Sequence, residues 1–331
     1  MATTIVTGGA GYIGSITVEA LRSRGERVVV IDHLSAGHRE ALHPDVEFHA
    51  VDLRDPGAVE TVFATSGADA VVHFAAFSLV GESVADPAKY FENNVGGTLT
   101  LLRAMKNHGI QCLAFSSTAA TYGEPQEVPI TESHPTAPAN PYGLTKRMME
   151  QVMETYSAAY GLRYASLRYF NAAGAIPDRG EDHKPESHLI PLILQVALGQ
   201  RESISIFGTD YDTPDGTCIR DYIHVADLAD AHLRALDYLR AGGAPVICNL
   251  GNGQGFSVRE VIDVCRRVTG REIKVVEGPR RAGDPSRLIA SAAKAEAVLG
   301  WVPRRSGIEE IVSDAWAWHV AHPNGYAPGG G

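Results

Sequence analysis

Near the start of the chain, TTIVTGGAGYIG runs a short β-branched segment into glycines spaced G-x-x-G-x-x-G, at Gly8, Gly11 and Gly14. That join limits what the chain can fold into. A buried strand turning tightly into a helix needs glycine where backbones crowd, and the helix N-terminus then faces an anionic group. Such glycines can also be no more than a flexible turn. Here a strand precedes them, a helix follows, and Asp32 closes the next strand, RVVVID. An acid there accepts hydrogen bonds from both ribose hydroxyls of an adenosine and repels a 2′-phosphate. The pattern points to a dinucleotide site that takes NAD rather than NADP.

The first half continues the alternation. Strands are expected at residues 3–8, 27–32, 46–52, 70–76, 112–118 and 163–171, with helices near 11–24 and 90–107 and another carrying Tyr142. Nearly all-apolar strands, each followed by a helix, imply a parallel sheet covered on both faces. That is a doubly wound, Rossmann-type α/β fold, whose ligands lie at the carboxyl ends of the strands. After Asn171 the alternation breaks at the polar stretch GAIPDRGEDHKPES. The expected division is 1–178 for the NAD-binding domain and 179–331 for a smaller α/β substrate lobe, with a crossing back to the first domain allowed. The second lobe is expected to hold helices near 189–198, at 225–240 and opening at Ser257. The tail HPNGYAPGGG is expected to be disordered at its end.

A net charge of −10, without a basic run, excludes the usual nucleic-acid binder. The longest apolar runs are far too short to span a bilayer, and no signal-peptide pattern opens the sequence. Cys112, Cys218, Cys248 and Cys265 lack C-x-x-C spacing and read as free thiols of a reducing, cytoplasmic compartment. No metal is expected.

FSSTAATYG ends a strand on the rim where the cofactor must lie, so Thr118 faces the site. NPYGLTK opens the next helix, with Pro141 suited to its first turn and Tyr142 and Lys146 on one face. A phenol titrates near 10. Moving it roughly three pH units toward neutrality takes about 4 kcal/mol, which a lysine cation and a positive nicotinamide ring can supply. Lys146 can also hold the nicotinamide ribose, and Thr118 can bond the substrate oxygen. Asp52, ending the third strand, is placed to accept from the adenine amino group or to serve as a solvated turn aspartate.

The motifs TGGAGYIGS, HFAAFSLVGESV, NNVGGTLTLL, FSSTAATYG, NPYGLTK, LRYFNAAGA, SHLIPLILQVALG, IFGTDYDTPDGTCIRDYIHVADLADAH and RRAGDP span nearly the whole chain. In that order they resemble the UDP-hexose 4-epimerases of the extended short-chain dehydrogenase/reductase family. The resemblance implies an NAD-dependent isomerase of UDP-glucose and UDP-galactose with Thr118, Tyr142 and Lys146 as catalytic residues, acting as a homodimer through helices near 93–106 and 148–160. It implies cofactor contacts from Gly8, Gly11, Tyr12, Ile13 and Gly14, and from Asp32, His33, Asp52 and Leu53. Phe74, Ala75, Ala76, Asn94, Ser116 and Tyr169 complete that set. For the UDP-sugar it implies Asn171, His188, Leu189, Ser205 and Phe207, then Arg220 and Arg281 as diphosphate clamps, Asp284 as ribose acceptor and Leu288 at the sugar pocket. Salt bridges and core packing are the plainer roles of these residues. Ala119 and Ala120 stand where relatives that dehydrate the sugar carry acids. An epimerase or decarboxylase of another UDP-sugar (UDP-GlcNAc, a UDP-pentose, a UDP-uronic acid) stays open, as does a non-catalytic NAD-binding protein.

Three positions depart from the family pattern. Phe77 and Ser78 stand where many relatives place a lysine, so no cation is expected there. Ile16 replaces a frequent histidine, and His33 a frequent asparagine. Leucine at 288 is intermediate between a bulky tyrosine, which excludes N-acetyl sugars, and a small residue, which admits them.

Overall fold

The computed structural model describes residues 2–281 and 284–326. Ala282 and Gly283 of RRAGDP, and the tail residues 327–331, lie outside the described residues. Strands β1 (Thr3–Thr7), β2 (Arg27–Asp32), β3 (Glu47–Ala50), β4 (Ala70–His73), β5 (Cys112–Thr118), β6 (Arg163–Tyr169) and β7 (Val246–Leu250) form one sheet. Their order is β7-β6-β5-β4-β1-β2-β3, and every pairing is parallel. Successive residues serve opposite faces, as the two-residue strand period requires. Val6 and Val30 join the core on one side, whereas Ile5, Val29 and Ile31 join the core on the other. The strand order reverses between β1 and β4, so the loops after them part and open a crevice at their carboxyl ends.

One element lies elsewhere than the pattern placed it, and one strand was not foreseen. The helix Val225–Arg240, expected in the second lobe, packs along helix Tyr12–Ser23 and against the large sheet. Strand β7 then extends that sheet beside β6. The chain thus crosses back after residue 224. Ile16, in place of a histidine, packs on Val225 and Ala229 of the returning helix, so its role is structural.

The single helix expected at 90–107 is several pieces: Val80–Ala85, Pro87–Tyr90, a π-helical turn at Phe91–Gly96 and Gly97–Asn107. The strand expected at 163–171 also divides. β6 ends at Tyr169, and Asn171–Ala173 pairs in parallel with Tyr222–His224. That pairing leads into a second core, built by helices Leu189–Ala197, Val258–Thr269 and Ile308–Ala321 around Ile193, Val261 and Ile311. Ser257 caps its helix in a reciprocal box with Glu260. Among the described residues, no helix is long and apolar enough to cross a membrane.

Candidate active site

The glycine loop is sterically obligatory. Gly8 has φ +69°, and a Cβ there would stand 2.5 Å from the Ala75 nitrogen; one on Gly14 would stand 2.1 Å from the Gly8 carbonyl oxygen. The loop therefore presents bare backbone to the crevice, with the N-terminus of helix Tyr12–Ser23 behind it. Asp32 is buried at the end of β2, where its carboxylate accepts from Ala10 N (3.0 Å) and Leu34 N (2.9 Å). A carboxylate offers about four lone-pair sites, so two remain for ribose hydroxyls. Cradle, helix end and fixed acid fit an NAD adenosine and pyrophosphate. Gly14→Ala should lower the NAD content of purified protein about tenfold or more, because backbone must shift to admit the methyl group. Gly307→Ala, whose added carbon meets nothing within 4 Å, should leave it unchanged. Equal NAD contents would contradict this reading.

The neighbouring residues add detail that spacing alone did not give. Asp52 is held bidentately by Arg54, with Nη2 2.6 Å from Oδ2, which keeps it ionised. Buried Asn94, on the π-helical turn, accepts from Phe77 N at 2.8 Å and donates to Phe77 O at 3.1 Å. It also donates to Thr145 Oγ1, so the loop after β4 is fastened to the catalytic helix. Positions 77 and 78 carry no cation, as expected, and the Phe77 ring has two basic neighbours from elsewhere in the chain. Lys89 Nζ lies 4.4 Å over the Phe77 ring, and His33, raised by its bond to Asp32, tilts against the same ring with centroids 6.3 Å apart. Lys89 is itself paired with Glu82 at 2.5 Å, so its charge is largely met within the protein.

Helix Pro141–Tyr160 carries Tyr142 in its first turn, behind an Asn140 cap that accepts from Gly143 N at 2.9 Å. Lys146 is buried and donates to the Ser116 carbonyl at 2.8 Å, while Ser116 Oγ bonds the Tyr169 hydroxyl. Thr118, at the end of β5, accepts from Ala120 N at 3.1 Å and stands close enough to the Tyr142 phenol to favour its ionised form. Burial pushes that phenol up to about 12, against the effect of Thr118. Burial also pulls Lys146 down to about 7, against the pull of Glu150. The protein's own groups therefore favour the neutral forms of both, opposite to the sequence-based expectation for Tyr142.

Glu150, one turn beyond Lys146, was missed from sequence. It is buried and accepts from Ser117 Oγ (2.7 Å), Ser166 Oγ (2.8 Å) and Arg168 Nε and Nη2 (2.9 and 2.6 Å). The i, i+4 spacing from Lys146 was the available signal.

The second set of expected residues gathers around three short strands. Leu288 pairs in register with Arg220, and Arg220 forms an ion pair with Asp284. Arg281 lies 3.8 Å over the Phe207 ring, beside the strand that also carries Ser205. Asn171 instead donates its side-chain amide to the Asp221 carbonyl at 3.1 Å. His188 immediately precedes the helix begun by Leu189, and its Nδ1 lies 2.6 Å from Glu181. Only Phe170 separates Tyr169 of the first set from Asn171 of the second.

Comparison with known proteins accords with this layout. The NAD dependent epimerase/dehydratase family matches residues 4–251. A UDP-glucose 4-epimerase of Halalkalibacterium halodurans is 58% identical over 98% of this chain and 97% of its own. A crystal structure of a UDP-glucose 4-epimerase superposes with TM-score 0.97 at 52% identity, covering 98% of this chain and all of that one (100%). The enzyme from Bifidobacterium longum, solved in complex with NAD+ and UDP, superposes with TM-score 0.93 at 39% identity over 98% of this chain and 100% of that one. With a glycine cradle, a buried acid at the end of β2 and a Thr-Tyr-Lys group on one sheet edge, the chain belongs to the NAD dependent epimerase/dehydratase family.

Proposed function

We propose that this protein interconverts UDP-glucose and UDP-galactose by transient oxidation at sugar C4, with its NAD regenerated in every cycle. The observation that carries this reading is the convergence of Thr118, Tyr142 and Lys146 at the carboxyl end of β5, on the edge that holds the glycine cradle. When bound, NAD supplies a reversible hydride acceptor and a positively charged ring. Tyr142 takes the proton of the C4 hydroxyl, Thr118 holds that oxygen in line, and Lys146 fixes the nicotinamide ribose. The 4-keto sugar turns over in the pocket, and Tyr142 returns the proton as hydrogen comes back to C4 on the other face.

The turning sugar needs a firm anchor elsewhere. Arg220 and Arg281 suit the diphosphate, since guanidinium forks bind phosphate oxygens bidentately. Asp284 suits a ribose hydroxyl, Phe207 a uracil face, and the His188–Leu189 helix start a phosphate. The Arg220 and Asp284 ion pair holds both ready at one place. Leu288, adjoining Arg220 in register, flanks the sugar and suits partial acceptance of UDP-GlcNAc. Exposed Leu99 and Tyr160, on helices Gly97–Asn107 and Pro141–Tyr160, offer apolar surface for a cytoplasmic homodimer to cover.

Incubation with UDP-galactose and no added NAD should yield UDP-glucose to equilibrium. No turnover even with excess NAD would overturn the proposal. Saturating UDP-GlcNAc should yield UDP-GalNAc more slowly, and complete inactivity beside rapid turnover of UDP-glucose would remove the role given to Leu288.

A further inference from the structure

On the loop that leads to the proposed UDP-binding helix start, four side chains converge, and three of them, Glu181, His183 and Glu186, have no assigned task. Glu181, His183, Glu186 and His188, spaced E-x-H-x-x-E-x-H, each offer one donor atom, and all four atoms lie within 4.8 Å of one another. His188 Nδ1 is 2.6 Å from Glu181 Oε1 and 3.2 Å from Glu186 Oε1, while His183 Nδ1 is 3.1 Å from Glu181 Oε1 and 3.8 Å from Glu186 Oε2. Four donors at about 2.0–2.2 Å around a tetrahedral ion stand roughly 3.3–3.6 Å from each other. The observed separations bracket that edge.

A second observation separates this group from an ordinary surface ion cluster. Glu181 is 5% exposed, and its Oε1 is buried with no hydrogen-bond partner among the described residues; the same holds for His183 Nδ1. Both atoms point into the cluster and, although within ion-pair distance of each other, make no aligned hydrogen bond there, which a native structure seldom tolerates. Glu186 is already oriented, because its Oε1 accepts from Ser187 N (2.7 Å) and His188 N (2.8 Å), leaving Oε2 free. Such outer hydrogen bonds fix the direction of a metal-bound carboxylate. His188 makes no side-chain cap to its helix, so its imidazole is available.

We propose that Glu181, His183, Glu186 and His188 form a site for a borderline divalent transition ion, with Zn2+ the best match to a two-imidazole, two-carboxylate set. The ion satisfies both orphaned atoms and ties the loop directly to the start of helix Leu189–Ala197. His188 then serves by its side chain as a metal ligand, while the helix start behind it keeps its place. The site adjoins the proposed UDP-binding helix start but takes no part in the hydride transfer.

Full-length protein stripped with chelator and titrated with Zn2+ alone, against a chromophoric indicator, should bind one ion per chain with Kd of about 1 μM or tighter. The Tm of the wild-type protein should rise on adding Zn2+, a readout that needs no variant. Co2+ in place of Zn2+ should give the intense visible bands of a four-coordinate ion. His183→Ala and Glu186→Gln should each weaken binding about a hundredfold, whereas exposed His43→Ala should leave it unchanged. Should His183→Ala fold poorly, His183→Asn provides the same comparison. Binding weaker than about 0.1 mM, or binding that His183→Ala and His183→Asn leave intact, would mean an adventitious ion only and overturn the proposal.

Discussion

Tyr142→Phe should lower kcat for UDP-galactose conversion about a thousandfold, the middle of the range for a positioned acid–base group. NAD content and Tm should stay close to wild type. The phenol adds one hydroxyl to a half-buried ring, so its loss removes little packing. The size of the loss follows from what the site must do to that hydroxyl. Burial sets the phenol at about 12, so bringing it to neutrality requires roughly 7 kcal/mol. The sequence-based figure of about 4 kcal/mol took no account of burial. Three features act in the needed direction: the nearby Thr118 hydroxyl, the positive helix end at Pro141, worth about 0.3–1 kcal/mol, and the positive ring of NAD when bound. Lys146 contributes in proportion to its charge, and Glu150 is the group that holds that charge up. A Tyr142→Phe variant within tenfold of wild type would assign the proton transfer to another residue.

Glu150→Gln should be the most damaging change of stability. Burial alone would raise this carboxyl, but the Arg168 hydrogen bond and charge, followed by the Ser117 and Ser166 hydroxyls, leave it below its usual range. Removing the charge strands a buried guanidinium. The expected cost is about 3–5 kcal/mol, or a fall in Tm of roughly 6 °C for a chain of this size. The pH dependence has a definite sign. A carboxyl depressed on folding stabilises the native state above its unfolded pKa, near 4.3, and that contribution fades as pH falls toward the folded value. The gap in stability between wild type and Glu150→Gln should therefore be full at pH 7 and narrow below about pH 4. The variant should also lose rate at neutral pH, since Lys146 loses the carboxylate that supports its ammonium. Calorimetry across that range tests this directly, and a gap that widened in acid would contradict it.

The features read correctly from sequence are those whose cause is local. Gly8, Gly14 and Asp32 are set by one strand–turn–helix join, and Tyr142 and Lys146 by a single helical turn. What escaped depends on distant chain. The helix Val225–Arg240 shows an apolar stripe in its sequence, but a stripe does not say which surface will cover it, and helix Tyr12–Ser23 does so. Glu150 reads as a solvated helix residue until Ser117 and Ser166 from β5 and β6 close around it. The contact of Lys89 with the Phe77 ring was likewise illegible, because it joins residues of two separate segments. The π-helical turn at Phe91–Gly96 has no propensity signature. Its consequence is clear, since it turns Asn94 toward both the Phe77 loop and Thr145.

The central claim is that the hydrogen leaving sugar C4 stays within one site and returns to the same carbon. UDP-galactose carrying deuterium at C4, incubated in ordinary water without added NAD, tests it most directly. The product UDP-glucose should retain the deuterium at C4, read by NMR and mass spectrometry. Deuterium lost to solvent, or no product without a continuing supply of NAD, would contradict it.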